Sequence, residues 1–544
     1  MDGEEDPDEF VATITQLIRA RNPVLLVETH EEERVIRAMS ELITSQALRR
    51  PRRLVTYTLT NGLHELGQKG TPVSPERALQ DATAATEPTI FVFLDLHHSL
   101  GGGSGRNPEP ATIRAVRDLA EQFRTGSVPS TLIIVAPALQ LPVDLEKTVT
   151  VVELPLPDER DISEVLDAFV TANAEHTNGE IDPDDHTRLV QAALGLTRTE
   201  AENAFARAMA KDGVLDGRDV TVVMDEKRQT IKKSGLLEFI PPSGSVDDIG
   251  GLENLKRWLD KRTRAWVDDV EQWGVSYPRG ILITGVPGCG KSLTAKTTST
   301  LWSMPLLRLD IGRVFSGLVG SSEQNMRGAL RLAEATAPSI LWIDEIEKGF
   351  SSAGQGDSGT SARVFGSFLT WMQEKKRPVF VIATANAIER LPPELLRKGR
   401  FDEIFFVDLP TEAERRRIWQ VHLTRRLLPD TTVARDITLD QELFNDLAKT
   451  SEGLSGAEIE QAVIAACFDA FAEQRPVTVE DLARTVRNTV PLSVTQAESI
   501  AATRDWASDR AVAATAVEDL GAYTNEPGDN GEISTWRGGR TIEF

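Results

Sequence analysis

Residues 285–292 read Gly-Val-Pro-Gly-Cys-Gly-Lys-Ser, and this segment constrains the fold of the chain more than any other. It follows an apolar run at 281–284 and precedes a helix-compatible stretch at 293–296. A G-x-x-x-x-G-K-[ST] segment between a strand and a helix is typical of loops that wrap phosphate groups, because the glycines allow a tight turn whose backbone N–H groups converge. A glycine-rich turn with a solvated lysine is the alternative that this motif alone leaves open.

The residues of this loop are the predicted contacts of a nucleotide. Lys291 would neutralise the β- and γ-phosphates of ATP, and the Ser292 hydroxyl would ligate Mg²⁺. The helix that begins there would present its positive end to the anion. Cys289 is expected to fill space in the loop, although its oxidation would block nucleotide binding. The predicted contacts are Gly285, Val286, Pro287, Gly288, Cys289, Gly290, Lys291, Ser292 and Leu293.

An apolar strand that ends in two carboxylates favours the same chemistry. Residues 340–345 read Ile-Leu-Trp-Ile-Asp-Glu, and such a strand in a parallel sheet would lie beside the strand of the phosphate loop. Asp344 would hold the water shell of Mg²⁺, and Glu345 would orient and deprotonate the attacking water. Acidic residues also end strands as helix caps, but the phosphate loop about 50 residues upstream makes hydrolysis the stronger interpretation.

The bulk properties of the chain limit its functional class. Its 544 residues suffice for about three or four domains, and an apolar content of 40% supports sizeable cores. The net charge of −23 argues against a protein built mainly to grip nucleic acid, which needs a basic face. We expect no secretory signal, since the first residues are acidic, and no membrane span, since no apolar run of about 18 residues occurs. Two cysteines, Cys289 and Cys467, fit a reduced, cytoplasmic compartment.

Apolar strands alternate with helical stretches from about residue 236 onward, which predicts an α/β fold with a parallel five-stranded sheet covered on both faces. The strand candidates are 281–284, 305–309, 340–344, 379–385 and 403–409. Helical stretches after Pro410 predict a small α-helical domain, and they are 411–427, 439–450, 455–472 and 479–487. The predicted division is an α/β domain at 1–220, a linker at 221–240, a large ATPase subdomain at 241–411, a helical lid subdomain at 412–490, and a helical then mobile tail at 491–544.

The N-terminal region repeats the order of elements found in the later half. Its predicted strands are 24–27, 89–94, 131–135 and 151–154, and residues 195–202 resemble 453–460 at a constant offset of 258. Glu31, Glu32 and Glu33 stand where a phosphate loop would lie, and they would repel phosphate. We interpret this region as a degenerate copy of the ATPase module that has lost hydrolysis. An unrelated α/β domain is the alternative.

A third motif extends the candidate site and carries a family resemblance. Asn386 stands at the end of an apolar strand, and the segment Arg-Lys-Gly-Arg-Phe-Asp begins eleven residues later, at Arg397. Together with the phosphate loop and the Asp-Glu strand, this spacing resembles the AAA family of the AAA+ superfamily. The resemblance covers about residues 240–487, and it implies a P-loop core with a parallel sheet and a small helical lid.

The resemblance implies further roles at the site. Asn386 would polarise the lytic water, and Arg397 and Arg400 would reach into the site of a neighbouring subunit as arginine fingers. A guanidinium in a dry site stabilises the charge that builds on the transferred phosphoryl group. Ordinary ion pairing with Glu394 or Asp402 is the alternative for the arginines.

The same resemblance assigns the contacts of the nucleoside. An Asp-Asp-Ile-Gly-Gly-Leu segment is similar to the family's segment that packs on adenine, through Asp248, Ile249 and Gly250. Gly456 and Ala457 match the positions near the ribose and the base.

Further segments resemble a narrower family, named after a hypothetical open reading frame of algal plastid genomes, over nearly the whole chain. These segments are 17–21, 31–35, 231–238, 305–313, 356–360 and 368–375. One departure from threading AAA motors concerns Leu318, which stands where those motors carry a pore aromatic residue. Leucine offers less contact area and no π face, so the expected grip on a threaded polypeptide is weaker.

These patterns together predict an ATP hydrolase that forms a homo-oligomeric ring, with a hexamer expected, and that remodels a protein or complex of unknown identity. A slow ATP-dependent scaffold or switch that recruits a partner is the alternative. A nucleic-acid motor is a third interpretation, which the acidic balance disfavours.

Overall fold

The computed structural model divides the chain into two compact units. The first comprises Met1–Pro157 and Thr197–Asn203, and the second comprises Asp158–Leu196 and Ala204–Phe544. The residues described are 9–45, 47–48, 50–101, 107–137, 141–173, 181–211, 213–241, 249–266, 273–315, 321–350, 358–375, 377–427, 432–521, 523–524, 536–542 and 544. Leu318 and most of the loop predicted at 351–360 lie outside these ranges. Within them, no helix has the length and apolar character that crossing a bilayer requires.

The first unit is a mostly parallel sheet with helices on both faces. Its strands are β1 (Val24–Glu28), β2 (Arg53–Thr58), β3 (Gly62–Glu65), β4 (Thr89–Leu94), β5 (Thr131–Ala136) and β6 (Val149–Val152). Its helices are α1 (Glu9–Arg19), α2 (Glu32–Thr44), α3 (Pro75–Thr83) and α4 (Pro110–Thr125), with a 3-10 turn at Leu96–His98. The strand order is β3-β2-β4-β5-β1-β6, and the β2–β3 hairpin is its antiparallel pair. Helices α1 and α2 pack on one face, and α3 and α4 on the other.

The helices of the second unit follow in chain order. They are α5 (Glu159–Ala172), α6 (Pro183–Ala193), α7 (Arg198–Met209, which begins in the first unit), α8 (Val220–Ser234), α9 (Glu253–Asp260), α10 (Lys291–Trp302), α11 (Ile311–Phe315), α12 (Ser321–Ala335), α13 (Glu347–Phe350), α14 (Ser358–Glu374), α15 (Glu412–Arg426), α16 (Gln441–Thr450), α17 (Gly456–Ala472), α18 (Val479–Asn488), α19 (Leu492–Thr495), α20 (Ala497–Arg510) and α21 (Val517–Leu520). Short 3-10 turns lie at Gly217–Asp219, Thr263–Trp266, Ile388–Arg390 and Thr432–Ala434.

The second unit is built around a sheet with the order β13-β12-β8-β11-β10-β9-β7. These strands are β7 (Leu237–Ile240), β8 (Gly280–Gly285), β9 (Leu306–Leu309), β10 (Ser339–Ile343), β11 (Val379–Ala385), β12 (Glu403–Val407) and β13 (Val512–Ala513). The five central strands are parallel and match the predicted ones closely. Alternate residues of each strand point to opposite faces, so Leu282 and Leu341 join one core while Ile281 and Ile340 join the other.

Both sheets share one arrangement of strands. We number the strands of the first unit along the chain without the hairpin strand β3. Across the sheet they then lie in the order fifth, first, fourth, third, second. The central strands of the second unit follow the same order. The α/β fold predicted for both halves is therefore confirmed, and the shared order fits the interpretation of the first unit as a degenerate copy.

The loop after β1 in the first unit holds a carboxylate where the second unit has its glycine-rich loop. Glu31 accepts the N–H of Arg198 at the start of α7, with an N–O distance of 2.8 Å. It also pairs with Arg34 at 3.3 Å, and both side chains are at least nine-tenths buried. Glu31 therefore places a buried, paired carboxylate in the loop after β1, which corresponds in strand order to the glycine-rich loop after β8.

The sheet of the second unit is wider than the predicted five strands. Strand β7 pairs antiparallel with β9, and it buries Leu237 and Phe239 while Glu238 points outward. Residues 221–240, predicted as a linker, thus form most of α8 and all of this edge strand. At the opposite edge β13 pairs parallel with β12.

The end of the chain also packs against this sheet. Residues 491–544 were predicted to be helical and then mobile, and α20 supplies the helical part. Residues 536–539 are buried, and the Arg540 N–H donates to the Ala511 carbonyl. At the end of β12, Asp408 accepts hydrogen bonds from Nε and Nη2 of Arg504 and from the N–H of Gly538. A buried ion pair therefore fastens the tail beside the strand that adjoins β8.

Candidate active site

Three neighbouring strands bring the predicted motifs to one edge of the sheet. β11 lies between β8 and β10, and all three are parallel, so their carboxyl ends face the same way. The glycine-rich loop follows β8, the Asp-Glu pair follows β10, and Asn386 follows β11. Lys291, Glu345 and Asn386 are therefore neighbours in space although they span about a hundred positions of the chain.

The glycine-rich loop has the conformation that its sequence predicts. Gly288 and Gly290 have φ values of 74° and 94°, which only glycine adopts without strain, and α10 begins directly afterwards at Lys291. The Lys291 side chain is turned back, and its Nζ donates to the carbonyls of Gly285 (2.7 Å) and Val286 (2.9 Å). Burial lowers the pKa of Lys291 to about 8.

The loop thiol lies in an environment that disfavours its thiolate form. Burial raises the pKa of Cys289 to about 12, the nearby charge of Lys291 notwithstanding. Thiolate is the form that reacts with oxidants and alkylating agents, and this environment suppresses it. The loop cysteine therefore fits the space-filling role better than a redox role.

Oxygen donors converge where the metal was predicted. The Ser292 hydroxyl donates to Asp344 Oδ1 at 3.1 Å. A hydroxyl and a carboxylate are ligands that suit Mg²⁺, so this pair fits the predicted ion. Arg308 lies on the adjacent strand β9, and its Nη2 is 3.9 Å from Asp344 Oδ2.

Glu345 stands at the end of β10 in an unusual backbone conformation. Its φ of 50° lies in the left-handed region, which costs a non-glycine residue about 1–2 kcal/mol. Asn386 Nδ2 donates to Glu345 Oε1 at 3.1 Å, so the predicted base and the predicted water-positioning residue are in contact. Lys348 donates to the other carboxylate oxygen, and this contact raises the pKa of the lysine.

Two residues that the motif analysis missed support these groups. The Thr384 hydroxyl donates to Asp344 Oδ1 at 2.6 Å, and the N–H of Glu345 donates to the same hydroxyl oxygen at 3.0 Å. Glu347 is 5% exposed, and its Oε1 accepts the Asn386 N–H at 3.1 Å. Each lies two positions from a predicted residue, and a polar side chain so close to a strand end was the signal available in the sequence.

The predicted nucleoside contacts meet at the helical lid. A Cβ on Gly250 would lie 2.7 Å from the backbone N of Ile418 on α15, and one on Gly456 would lie 3.7 Å from its Cδ1. The Ala457 N–H donates to the Gly288 carbonyl at 2.9 Å. Ile249 is buried beside this group, whereas Asp248 lies outside the described residues. Ile418 is thus a further candidate contact, which the resemblance did not include.

The two predicted arginine fingers are not brought to this edge. Arg397 is largely exposed, and Arg400 donates to the Glu394 carbonyl at 2.5 Å. In the same loop, Asp402 accepts the N–H of Gly280 at 3.0 Å, at the amino end of β8. The phosphate loop follows the carboxyl end of that strand, and a strand of this length spans about 16 Å. Strand β8 therefore separates these arginines from the phosphate loop of their own chain.

An open cleft gives access to the carboxylates of Asp344 and Glu345. It has a volume of about 1170 Å³, and Asp344 and Glu345 form part of its wall together with residues of α8, β7, β9 and α11. The cleft is large enough to admit side chains of another molecule beside the predicted catalytic base.

The strand order and the three strand ends define a P-loop enzyme of the AAA class, which hydrolyses ATP. In agreement, residues 281–409 match the family described as "ATPase family associated with various cellular activities (AAA)". Residues 10–154 and 160–234 match the N-terminal and second domains of SpoVK-like AAA ATPases.

More specifically, the chain belongs to the ycf46 family of AAA proteins. It is 37% identical to the uncharacterized AAA domain-containing protein ycf46 of Pyropia yezoensis, over 92% of this chain and 98% of that protein. The proteins of the same name from Guillardia theta (37% identical, 92% of this chain and 95% of that protein) and Trieres chinensis (34%, 92% and 97%) are similar along their length. The resemblance inferred from the motifs is therefore confirmed.

Proposed function

We propose that this chain is a Mg²⁺-dependent ATP hydrolase that works as a homo-oligomeric ring, with six subunits, and remodels a protein or complex. Ser292 and Asp344 would hold the ion, which would neutralise phosphate charge when bound. Lys291 would leave its carbonyl partners and bind the β- and γ-phosphates. Glu345 would take a proton from the attacking water, and Asn386 would orient that water.

The position of the arginines is the observation that carries the ring proposal. Arg397 and Arg400 lie beyond the amino end of β8, on the far side of the strand from the phosphate loop. An arginine side chain is too short to cover about 16 Å, so a finger role requires a neighbouring copy. The cleft beside Asp344 and Glu345 offers such a copy a route of entry.

A mixing experiment tests this proposal. Glu345→Gln removes the base but keeps the arginines, and Arg400→Ala does the reverse, so each variant alone should turn over ATP poorly. If the arginine acts in trans, mixing the two variants should restore part of the activity, because some interfaces then combine an intact base with an intact finger. Arg77→Ala, at an exposed ion pair with Asp81 in the first unit, is the matched control.

Protein concentration provides the second arm of that test. Turnover per chain should climb and then saturate as concentration rises, because a neighbour completes each site. Three results together would exclude the shared site: a mixture no more active than its components, turnover per chain that is independent of concentration, and a single-chain mass by sizing.

A switch that hydrolyses ATP slowly is the second candidate, and one contact favours it. Lys348 donates a hydrogen bond to the Glu345 carboxylate, so a cation competes with water for the proposed base. A remodelling enzyme should unfold a tagged model substrate in an ATP-dependent manner. A switch should instead bind a partner only in its ATP state and leave that substrate folded.

We assign the first unit a supporting role, as an adaptor or a layer of the ring. The loop after β1 carries the buried carboxylate of Glu31 in place of a glycine-rich turn, and its negative charge supports the loss of nucleotide binding there. The two free cysteines support a cytoplasmic or similarly reducing location. The five predicted segments remain our division of the chain, and limited proteolysis with ATP present or absent would test the boundary between 241–411 and 412–490.

A further inference from the structure

Thr384 joins the two carboxylate residues of the candidate site. It is the sixth residue of β11 and is 2% exposed. Its hydroxyl donates to Asp344 Oδ1 at 2.6 Å and accepts the N–H of Glu345 at 3.0 Å. Its backbone carbonyl accepts the N–H of Ile346 at 2.9 Å. Thr384 thus makes hydrogen bonds with three successive residues at the end of the neighbouring strand β10.

The donor and acceptor roles in these hydrogen bonds determine where the Thr384 hydroxyl proton points. Because the oxygen accepts the Glu345 N–H, the single O–H is left to point at Asp344. The carboxylate oxygen that receives it is also the one that accepts the Ser292 hydroxyl. Thr384 therefore orients the carboxylate at the predicted metal site and, through the N–H, holds the left-handed backbone of Glu345.

We propose that Thr384 is a positioning residue for ATP hydrolysis, which sets Asp344 for Mg²⁺ and Glu345 for the attacking water. The inference rests on the proposed function for its chemistry. A buried hydroxyl behind a metal ligand fixes the orientation of that ligand, and losing such a partner typically costs roughly 10- to 100-fold in metal affinity or activity.

Two substitutions distinguish the contribution of the Thr384 hydroxyl from that of its methyl group. Thr384→Val keeps the shape and the β-branching and removes the hydroxyl, whereas Thr384→Ser keeps the hydroxyl and removes the methyl group. Thr284→Val is the matched control. Thr284 lies one residue before the end of β8, is fully buried, and makes no hydrogen bond through its hydroxyl among the described residues.

Three readouts apply to each variant. They are hydrogen exchange at the Glu345 amide, the Mg²⁺ concentration that half-saturates fluorescent ADP binding, and steady-state ATP turnover. Thr384→Val should accelerate the exchange of that amide, raise the half-saturating Mg²⁺ concentration roughly 10- to 100-fold and lower turnover by a similar factor. ADP binding in EDTA should be unchanged, and Thr384→Ser and Thr284→Val should resemble the original protein.

Either of two results would overturn the inference. One is a Thr384→Val variant with the original Mg²⁺ requirement and the original exchange at Glu345. The other is a Thr384→Ser variant as impaired as Thr384→Val, which would assign the effect to packing. If the original protein turned over no ATP, the hydrolase proposal would fail by itself, while amide exchange and Mg²⁺-dependent ADP binding would still decide the role of Thr384.

Discussion

Asn386 Nδ2 donates a hydrogen bond to Glu345 Oε1, with a separation of 3.1 Å between the two atoms. The contact joins the ends of β11 and β10, and it holds the carboxylate beside the amide that would orient water. Asn386→Ala should lower turnover roughly 100-fold or more, because positioned acid–base groups contribute factors of this size. Affinity for fluorescent ADP should stay close to the original value. Asn445→Ala is the matched control, because this half-buried amide of α16 contacts Arg416 and lies outside the predicted site. Comparable losses in both variants would count against a specific role.

Nucleotide affinity should depend on pH through Lys291. Burial lowers the pKa of this lysine to about 8, and bound phosphates would raise it. Binding therefore takes up a proton only when the pH exceeds about 8. Affinity for fluorescent ADP should be level below that pH and should fall by up to about tenfold per unit above it. The phosphates of ADP are already ionised in that range, so a level affinity from about pH 7 to 9.5 would contradict the prediction.

Basal turnover should respond to Lys348. The lysine contacts Glu345, and this carboxylate raises the pKa of Lys348, so the ammonium group keeps its charge at neutral pH. Lys348→Ala should free the carboxylate and raise basal turnover by up to about fivefold, the limit expected for an exposed pair. Lys296→Ala, at an exposed lysine of α10, should leave turnover unchanged. A lower rate in the first variant would instead show that Lys348 assists the reaction.

The tail should contribute measurably to stability through Asp408. Its carboxylate is buried with Arg504, and Arg537 lies 4.0 Å away, so its removal takes a counter-charge away from two buried guanidinium groups. Asp408→Ala should destabilise the second unit by about 3–5 kcal/mol in denaturant titrations. Asp81→Ala removes an exposed partner of Arg77 and should cost about 1 kcal/mol or less. Equal effects of the two substitutions would show that the buried pair is no stronger than a surface pair.

Local patterns in the sequence were sufficient to predict the central strands and the order in which they carry the motifs. The strand at 379–385 is one example, since a continuous apolar run that ends at a polar residue is typical of a buried parallel strand. The fold of the first unit was predictable for the same reason, although the β2–β3 hairpin was missed.

Elements that depend on distant partners could not be predicted in this way. β7 has four residues, including Glu238, and becomes a strand because β9 offers it a free edge. β13 has two residues and pairs with Phe405 and Phe406, more than a hundred positions earlier. Thr384 and Glu347 were missed because their roles arise from contacts between neighbouring strands, which periodicity does not reveal.

The packing of residues 536–542 against the sheet has a consequence for synthesis. The first unit has all of its residues once position 203 has left the ribosome, so it can fold while translation continues. The second unit lacks one partner of Asp408 and the partner of Ala511 until Gly538 and Arg540 have emerged. A nascent chain would therefore carry a finished N-terminal unit and an unfinished catalytic one for most of its elongation, and a message truncated shortly before codon 536 would yield a protein whose P-loop module lacks its last edge contacts.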